Sequence, residues 1–385
     1  MRVAARKSLA LSLALILLLL LPGCWNYTEV DDMSIVAGVA LDKAKDGKLQ
    51  LTAEMVDIQN GLEQQSQAGF KMISLSGNTI FDIARNMISM TGKKLFWSHA
   101  KSIIFSEELA REGLIPYIDW YSRDTETRSD VFIFVSEEKN ARDVLNLNST
   151  TESVMSFELA QLMRDEKFVA GAPVVEIWDF IDKLEVSGQS AVAPLIHVHE
   201  LNGHKNERVE GTAVFDKDKM VGKLDGKESK AMLFVKNKIS EGVLEVEDRT
   251  GKPAYSLEIL SSRTEVRPVL REGDITIHLS TVTKTGLDEV MNTGGMTQHE
   301  SLKDIEKRAG EKLRQDMLSV IHKVQREYHA DIFGFGAAVH RKMPKQWKQI
   351  REHWSDIFTD LEVTVDAKVI IESTAKTSRA LKLGD

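Results

Sequence analysis

One cysteine, Cys24, stands in 385 residues. No disulfide can form within the chain, which excludes a small secreted scaffold stapled by bridges. No apolar run reaches the roughly 20 residues that a membrane-spanning helix needs. The longest, residues 9–21, holds 13 positions and is interrupted by Ser12. A basic excess is also missing. Lys and Arg number 50 against 58 Asp and Glu, a net charge of −8, so nothing pulls the chain toward nucleic acid or anionic lipid headgroups. Gly334-Phe335-Gly336 lacks the third glycine and preceding strand of a dinucleotide loop, and no phosphate-cradling loop ends in Gly-Lys-Ser/Thr. No repeat of fixed period is visible.

What is present begins at the N-terminus. Arg2, Arg6 and Lys7 precede the apolar run, which closes on Leu21-Pro22-Gly23-Cys24. A basic start followed by a short apolar core predicts a secretory signal. Pro22 and Gly23 break the helix where a peptidase reads extended chain. The ending resembles a bacterial lipobox, in which the leader is cut between Gly23 and Cys24 and the thiol is diacylated. That resemblance implies a lipidated N-terminus at Cys24 carrying diacylglycerol and an N-acyl group, on the outer face of a membrane. Two chains give stable anchoring where one is marginal. Removing residues 1–23 takes three basic residues away and leaves 47 against 58, a net charge of −11. Attachment must then come from the acyl chains and protein neighbours.

The remaining chain reads as α+β, with mixed sheets and packed helices in more than one domain. Strands are expected at 35–41 and 49–56, then a Gln/Gly/Ser-rich loop at 59–69. Ile80, Ile83, Ala84, Met87 and Ile88 fall on one helical face, with Asn78 as its N-cap. A strand at 101–105 leads to a helix opened by Ser106, and Pro116 starts another. A buried strand at 131–135 and short helices at 140–147, 152–165 and 174–184 follow. The polar run 202–208 suggests a boundary between an N-terminal region, 24–200, and a C-terminal domain, 201–373, with a frayed tail at 374–385. The C-terminal pattern turns toward β: a hairpin over 216–219, strands near 243–247, 255–260 and 263–270, and alternation at 275–279. Leu302, Ile305, Ala309, Leu313, Met317, Val320, Ile321, Val324 and Tyr328 hold one face of a long helix. Their spacing drifts from a heptad, predicting packing on an antiparallel sheet rather than a coiled coil. A helix at Pro344 and a strand over 361–371 end the pattern.

Chemistry-bearing residues are sparse. His197 and His199 would share a strand face, with Glu200 and His204 nearby, but zinc needs three or four ligands with outer support. A solvent-facing pair is the expectation. Ser98, Ser136 and Ser373 each precede a lysine by three positions, and Lys284-Thr285-Gly286 ends a strand. These elements occur in penicillin-recognising serine enzymes. None of the three serines is expected to open a buried helix, and no Ser-Asp-Asn is present. Carboxylate pairs such as Asp31-Asp32 and Glu107-Glu108 are explained by helix starts and turns. Arg341, Lys342 and Lys345 read as a solvated face. No nucleophile, base and orienting group come together, so no enzyme, metal or other cofactor is expected.

Several stretches together resemble one family. They are Gly23-Cys24-Trp25; Ala37-Gly38-Val39-Ala40-Leu41-Asp42; Gly77-Asn78-Thr79-Ile80-Phe81-Asp82; Lys94-Leu95-Phe96-Trp97-Ser98-His99; Glu210-Gly211-Thr212-Ala213-Val214-Phe215; Lys219-Met220-Val221-Gly222; and Asp331-Ile332-Phe333-Gly334-Phe335-Gly336, followed by His340-Arg341-Lys342 and Pro344-Lys345-Gln346-Trp347. Their order behind a lipobox resembles the Ger(x)C spore germination lipoproteins, the C subunits of nutrient germinant receptors. The resemblance implies a multi-domain α+β protein held by lipid on the outer face of the inner spore membrane, beside polytopic A-type and B-type subunits. Only the lipidated cysteine carries over as a functional residue, onto Cys24. Gly211 and Gly222 are read as serving the hairpin, Gly334 and Gly336 close packing, and Trp97 and Trp347 the core. Two rivals stay open: a lipid-anchored solute-binding protein that captures the nutrient, and a cell-wall enzyme.

Overall fold

A computed structural model describes residues 33–57, 69–147, 149, 151–291 and 301–374. The leader, Gly23, Cys24, Asp31-Asp32, most of the loop at 59–69 and nearly all of the expected tail lie outside the described residues.

β1 (Met33–Lys43) and β2 (Leu49–Asp57) pair antiparallel, and β3 (Gly69–Gly77) extends the sheet beyond β2. α1 (Ile80–Thr91) buries Ile80, Ile83, Ala84 and Met87. Its cap is Thr79 rather than Asn78: the Thr79 hydroxyl accepts from the Asp82 N–H at 3.2 Å, the three-residue reach of an N-cap oxygen. β4 (Lys94–Phe96) and a one-turn segment over 97–99 lead into β5 (Ser102–Ser106). Ser106 caps α2 (Glu107–Glu112) as expected, and Pro116 is the second residue of α3 (Ile115–Arg123). After β6 (Phe132–Ser136) come α4 (Arg142–Leu145), α5 (Met155–Asp165) and α6 (Ile177–Glu185).

β7 (Val192–Leu201) and β8 (His204–Asp216) form a hairpin, so the polar run 202–208 is its turn and second arm. β9 (Lys219–Leu224) closes a nine-stranded sheet of order β3-β2-β1-β5-β6-β7-β8-β9, with β4 beside the start of β1. Its centre, β1-β5-β6-β7, is parallel. Helices cover both faces, which is why the central strands read as unbroken apolar runs. Alternation still sorts their side chains: Ile104, Phe134 and Ile196 meet Val144, Leu145, Met155 and Leu159 on one side. Ile103, Phe105, Ile133 and Val135 join Ile83, Met87, Leu109 and Ile118 on the other. Buried carboxylates fix helices of the first face. Glu54 accepts from the Met155 and Ser156 N–H groups at 2.8 and 2.9 Å, and Asp42 from that of Ala141 at 2.6 Å.

α7 (Gly226–Val235) fell in a stretch with no expected helix. Ala231, Met232, Leu233, Phe234 and Val235 are all buried, and a helix enclosed on most sides loses the stripe by which an amphipathic one is recognised. A second sheet has order β10-β11-β12-β13: β10 (Val243–Glu247), β11 (Pro253–Arg271), β12 (Asp274–Val290) and β13 (Glu362–Ser373). β11 is one strand of 19 residues where two were expected; a register shift between Ile259 and Ser261 breaks the alternation without breaking the strand. The sheet is antiparallel through β12, but β13 joins it parallel. α8 (Leu302–Lys323) makes that crossover, as a parallel connection requires, and packs its apolar face on the sheet. A π-type turn continues it to Tyr328. α9 (Phe335–Lys342), α10 (Pro344–Ile350) and α11 (Trp354–Asp360) complete the fold. Tyr328 donates to the Lys223 carbonyl at 2.7 Å, and a Cβ on Gly222 would sit 2.1 Å from its ring. Gly222 therefore serves the docking of the β8–β9 hairpin onto the end of the long helix.

Candidate functional site

Most of the chemistry-bearing residues are held apart. His197 Nδ1 lies 3.6 Å from Glu137, while His199 and His204 are exposed at the far end of the hairpin. Among the described residues no group of three or more His, Cys, Asp or Glu is placed to hold a metal. Ser98 sits in the one-turn segment 97–99 and donates to the Glu126 carbonyl at 2.7 Å. Ser136 is buried at the end of β6 and accepts from the Glu138 N–H at 3.1 Å. Ser373 ends β13. Lys284 is paired with Glu372 at 2.6 Å, and Thr285 donates to the Ile370 carbonyl at 3.3 Å. The Lys-Thr-Gly stretch thus ties β12 to β13. Arg341 and Lys345 are exposed, and Lys342 donates to the Val266 carbonyl at 3.0 Å.

The Asp331-to-Gly336 stretch does bring distant parts together. The buried Asp331 carboxylate accepts from the N–H groups of Gly334, Phe335 and Gly336 at 2.9, 3.1 and 2.8 Å. Trp354 Nε1 adds a fourth donor at 3.0 Å. Burial pushes this carboxyl up, while the four donors pull it the other way. Gly334 has φ +76°, a left-handed conformation that glycine adopts without steric cost. The Asp331 carbonyl accepts from the Ser190 N–H at 2.7 Å, and the Gly188 carbonyl from that of Ala337 at 3.0 Å. A Cβ on Gly336 would stand 2.7 Å from Gly188 Cα, and one on Gly188 would stand 2.5 Å from the Trp347 ring. Two glycines and one aspartate therefore lock α9 onto the segment that enters β7.

Beside this knot lies a cavity of about 320 Å³. Its walls come from the 166–175 segment, α6, the start of β7 and the residues at and after the end of α7. Val175, Phe180, Val192, Leu233 and Ile239 give it an apolar lining, to which Lys236 also contributes. The Lys236 amine donates to the Ile332 carbonyl. Burial pushes this amine down to about 8, against the pull of Asp331 and Asp179. Asp179 lies 3.2 Å from Lys183, and Glu166 accepts from the N–H groups of Gly171 and Ala172 at 2.6 and 2.8 Å. No motif announced this cavity, because its walls come from four separate stretches. The one signal was Lys236 directly after the apolar run 231–235.

Comparison with known proteins covers nearly the whole chain. Residues 26–198 match the family described as "Spore germination protein N-terminal domain", and residues 210–375 match "Spore germination B3/ GerAC like, C-terminal". Spore germination protein KC of Bacillus subtilis (strain 168) is 25% identical over 98% of this chain and 98% of its own. Spore germination protein B3 of the same organism is 26% identical over 93% of this chain and 96% of its own. A crystal structure of the GerBC protein superposes with a TM-score of 0.55 at 22% identity, covering 87% of this chain and 97% of that one. The chain therefore belongs to the Ger(x)C family of spore germination proteins.

Proposed function

We propose that this chain is a lipid-anchored, non-enzymatic subunit of a spore nutrient germinant receptor. Cleavage after Gly23 and acylation of Cys24 tether the α+β body to the outer face of the inner spore membrane. There it supports the assembly or signalling of A-type and B-type integral subunits. The observation that carries this reading is the pair of family matches, meeting in the β7–β8 hairpin behind the basic and apolar leader that ends at Cys24. In this reading the chain divides into a leader at 1–23, regions at 24–200 and 201–373, and a tail at 374–385; the matches over 26–198 and 210–375 support the two regions.

Tethering is the mechanism. Among the described residues no helix is long and apolar enough to cross a membrane, so in this reading membrane proximity comes from the acyl chains. Confinement to a thin layer raises the effective concentration of the body near its partners without any new contact. Two chains contribute roughly 0.8 kcal/mol per buried methylene. Cys24→Ala should leave the fold intact, abolish palmitate labelling and cut the nutrient response of spores at least about tenfold, the scale of a lost tether. A normal response in spores whose protein is verified to be unlipidated would overturn the reading.

A further inference from the structure

The cavity beside the Asp331 knot has an unbalanced charge. Four amines line it, from Lys167, Lys183, Lys236 and Lys238, against two carboxylates, from Glu166 and Asp179. Both carboxylates are engaged, Glu166 with two backbone N–H groups and Asp179 with Lys183. Lys167 lies 3.5 Å from Glu241, and Lys183 is also paired with Asp182 at 2.6 Å. Lys236 and Lys238 form no salt bridge among the described residues. This local positive excess stands in a chain whose net charge is −8. The lining also carries the apolar side chains Val175, Phe180, Val192, Leu233 and Ile239. A volume of about 320 Å³ falls at the lower end of small-ligand sites, about 300–1,000 Å³.

We propose that this cavity binds a small organic monoanion with a short apolar tail, its charged group held between Lys236 and Lys238. A cation would meet amines where it needs a free carboxylate. A neutral apolar molecule would add nothing to the partial compensation that Asp331 and Asp179 give the Lys236 ammonium. An anion offsets the excess of lining amines over lining carboxylates, and charge-assisted hydrogen bonds to an ammonium are among the stronger ones available to a protein. The groups facing Lys236 are Asp179 and Lys183 from α6, Asp331 from the knot and Lys238 from its own segment. An added anion favours the protonated amine, so binding is tightest below about pH 8. Above that it weakens by up to roughly tenfold per pH unit while the free amine is neutral and the bound one charged.

Titration calorimetry tests this on the full chain in phosphatidylcholine nanodiscs, with empty nanodiscs as the blank. Isocaproate, isocaproamide and isoamylamine share one tail and differ in charge. Isocaproate should bind at pH 7 with a Kd of about 1 mM or tighter, and the amide at least about tenfold more weakly. The amine should not bind. Lys238→Glu changes an exposed residue and should weaken isocaproate at least about tenfold. Lys236→Met, checked by near-ultraviolet dichroism, should abolish both binding and its pH dependence. Equal binding of acid and amide, preference for the amine, indifference to Lys238→Glu, or no heat from isocaproate would each overturn the proposal. Such a failure would leave the tether untouched, because lipid anchoring depends on Cys24 and not on this cavity.

Discussion

At the scale of single residues, the fold depends on a few polar groups buried with full complements of partners. Asp331 organises three consecutive backbone N–H groups and an indole, and Gly336 lets that loop press on Gly188. Alanine would normally favour a helix such as α9 by about 1 kcal/mol over glycine. Here its Cβ would lie 2.6 Å from Trp354 Nε1 and 2.7 Å from the Gly188 backbone, and forcing packed backbones apart costs about 1–3 kcal/mol. Gly336→Ala should therefore lower the urea midpoint of unfolding; an unchanged or raised midpoint would contradict the packing described. Glu207 offers a second test. Burial, then the neighbouring Glu158, raises its carboxyl from 4.5 to about 7. The folded state holds this proton more tightly than the unfolded one, so the group's stabilisation is present below pH 4.5 and is lost as pH rises to about 7. Glu207→Gln should accordingly gain on the parent protein between pH 5 and pH 8, by about 1–2 kcal/mol. Thermal melts at the two pH values measure it, and a constant difference would refute the assignment.

Elements divide by how much of their surface meets water. α1 and α8 each keep one wet face, so Ile80, Ile83 and Met87, or Ile305, Ala309, Leu313 and Met317, mark the buried side in the sequence itself. α7 keeps almost none, and its apolar run 231–235 is indistinguishable by periodicity from a buried strand. Its capping box was legible, since Asp225 and Glu228 exchange hydrogen bonds at 2.8 and 2.9 Å. The parallel entry of β13 was not, because alternation along 361–371 is the same in either direction. The cavity was illegible for a related reason: its walls meet only once β7, α6 and α7 have packed. Gly310 shows what the helix pattern alone cannot. It lies on the buried face of α8, where a Cβ would come 2.8 Å from the Ala367 carbonyl of β13. Gly310→Val should destabilise the protein by about 1–3 kcal/mol through separation of helix and strand. A variant as stable as the parent in urea would show that α8 does not approach β13 so closely.

At the scale of the whole molecule, one continuous apolar core runs from the nine-stranded sheet through α7 to the long helix and the second sheet. The family to which the chain belongs, and the fold it shares with the GerBC structure, span that body from end to end. Its acidic balance gives no attraction of its own to anionic lipid, which leaves the acylated cysteine as the proposed link between body and membrane. The most direct measurement is mass spectrometry of the N-terminal peptide of the protein purified from spore inner membranes. The expected result is a chain beginning at Cys24 with diacylglycerol on the sulfur and a third acyl group on the amine. A free thiol on a soluble product, or a leader still joined to Gly23, would contradict it.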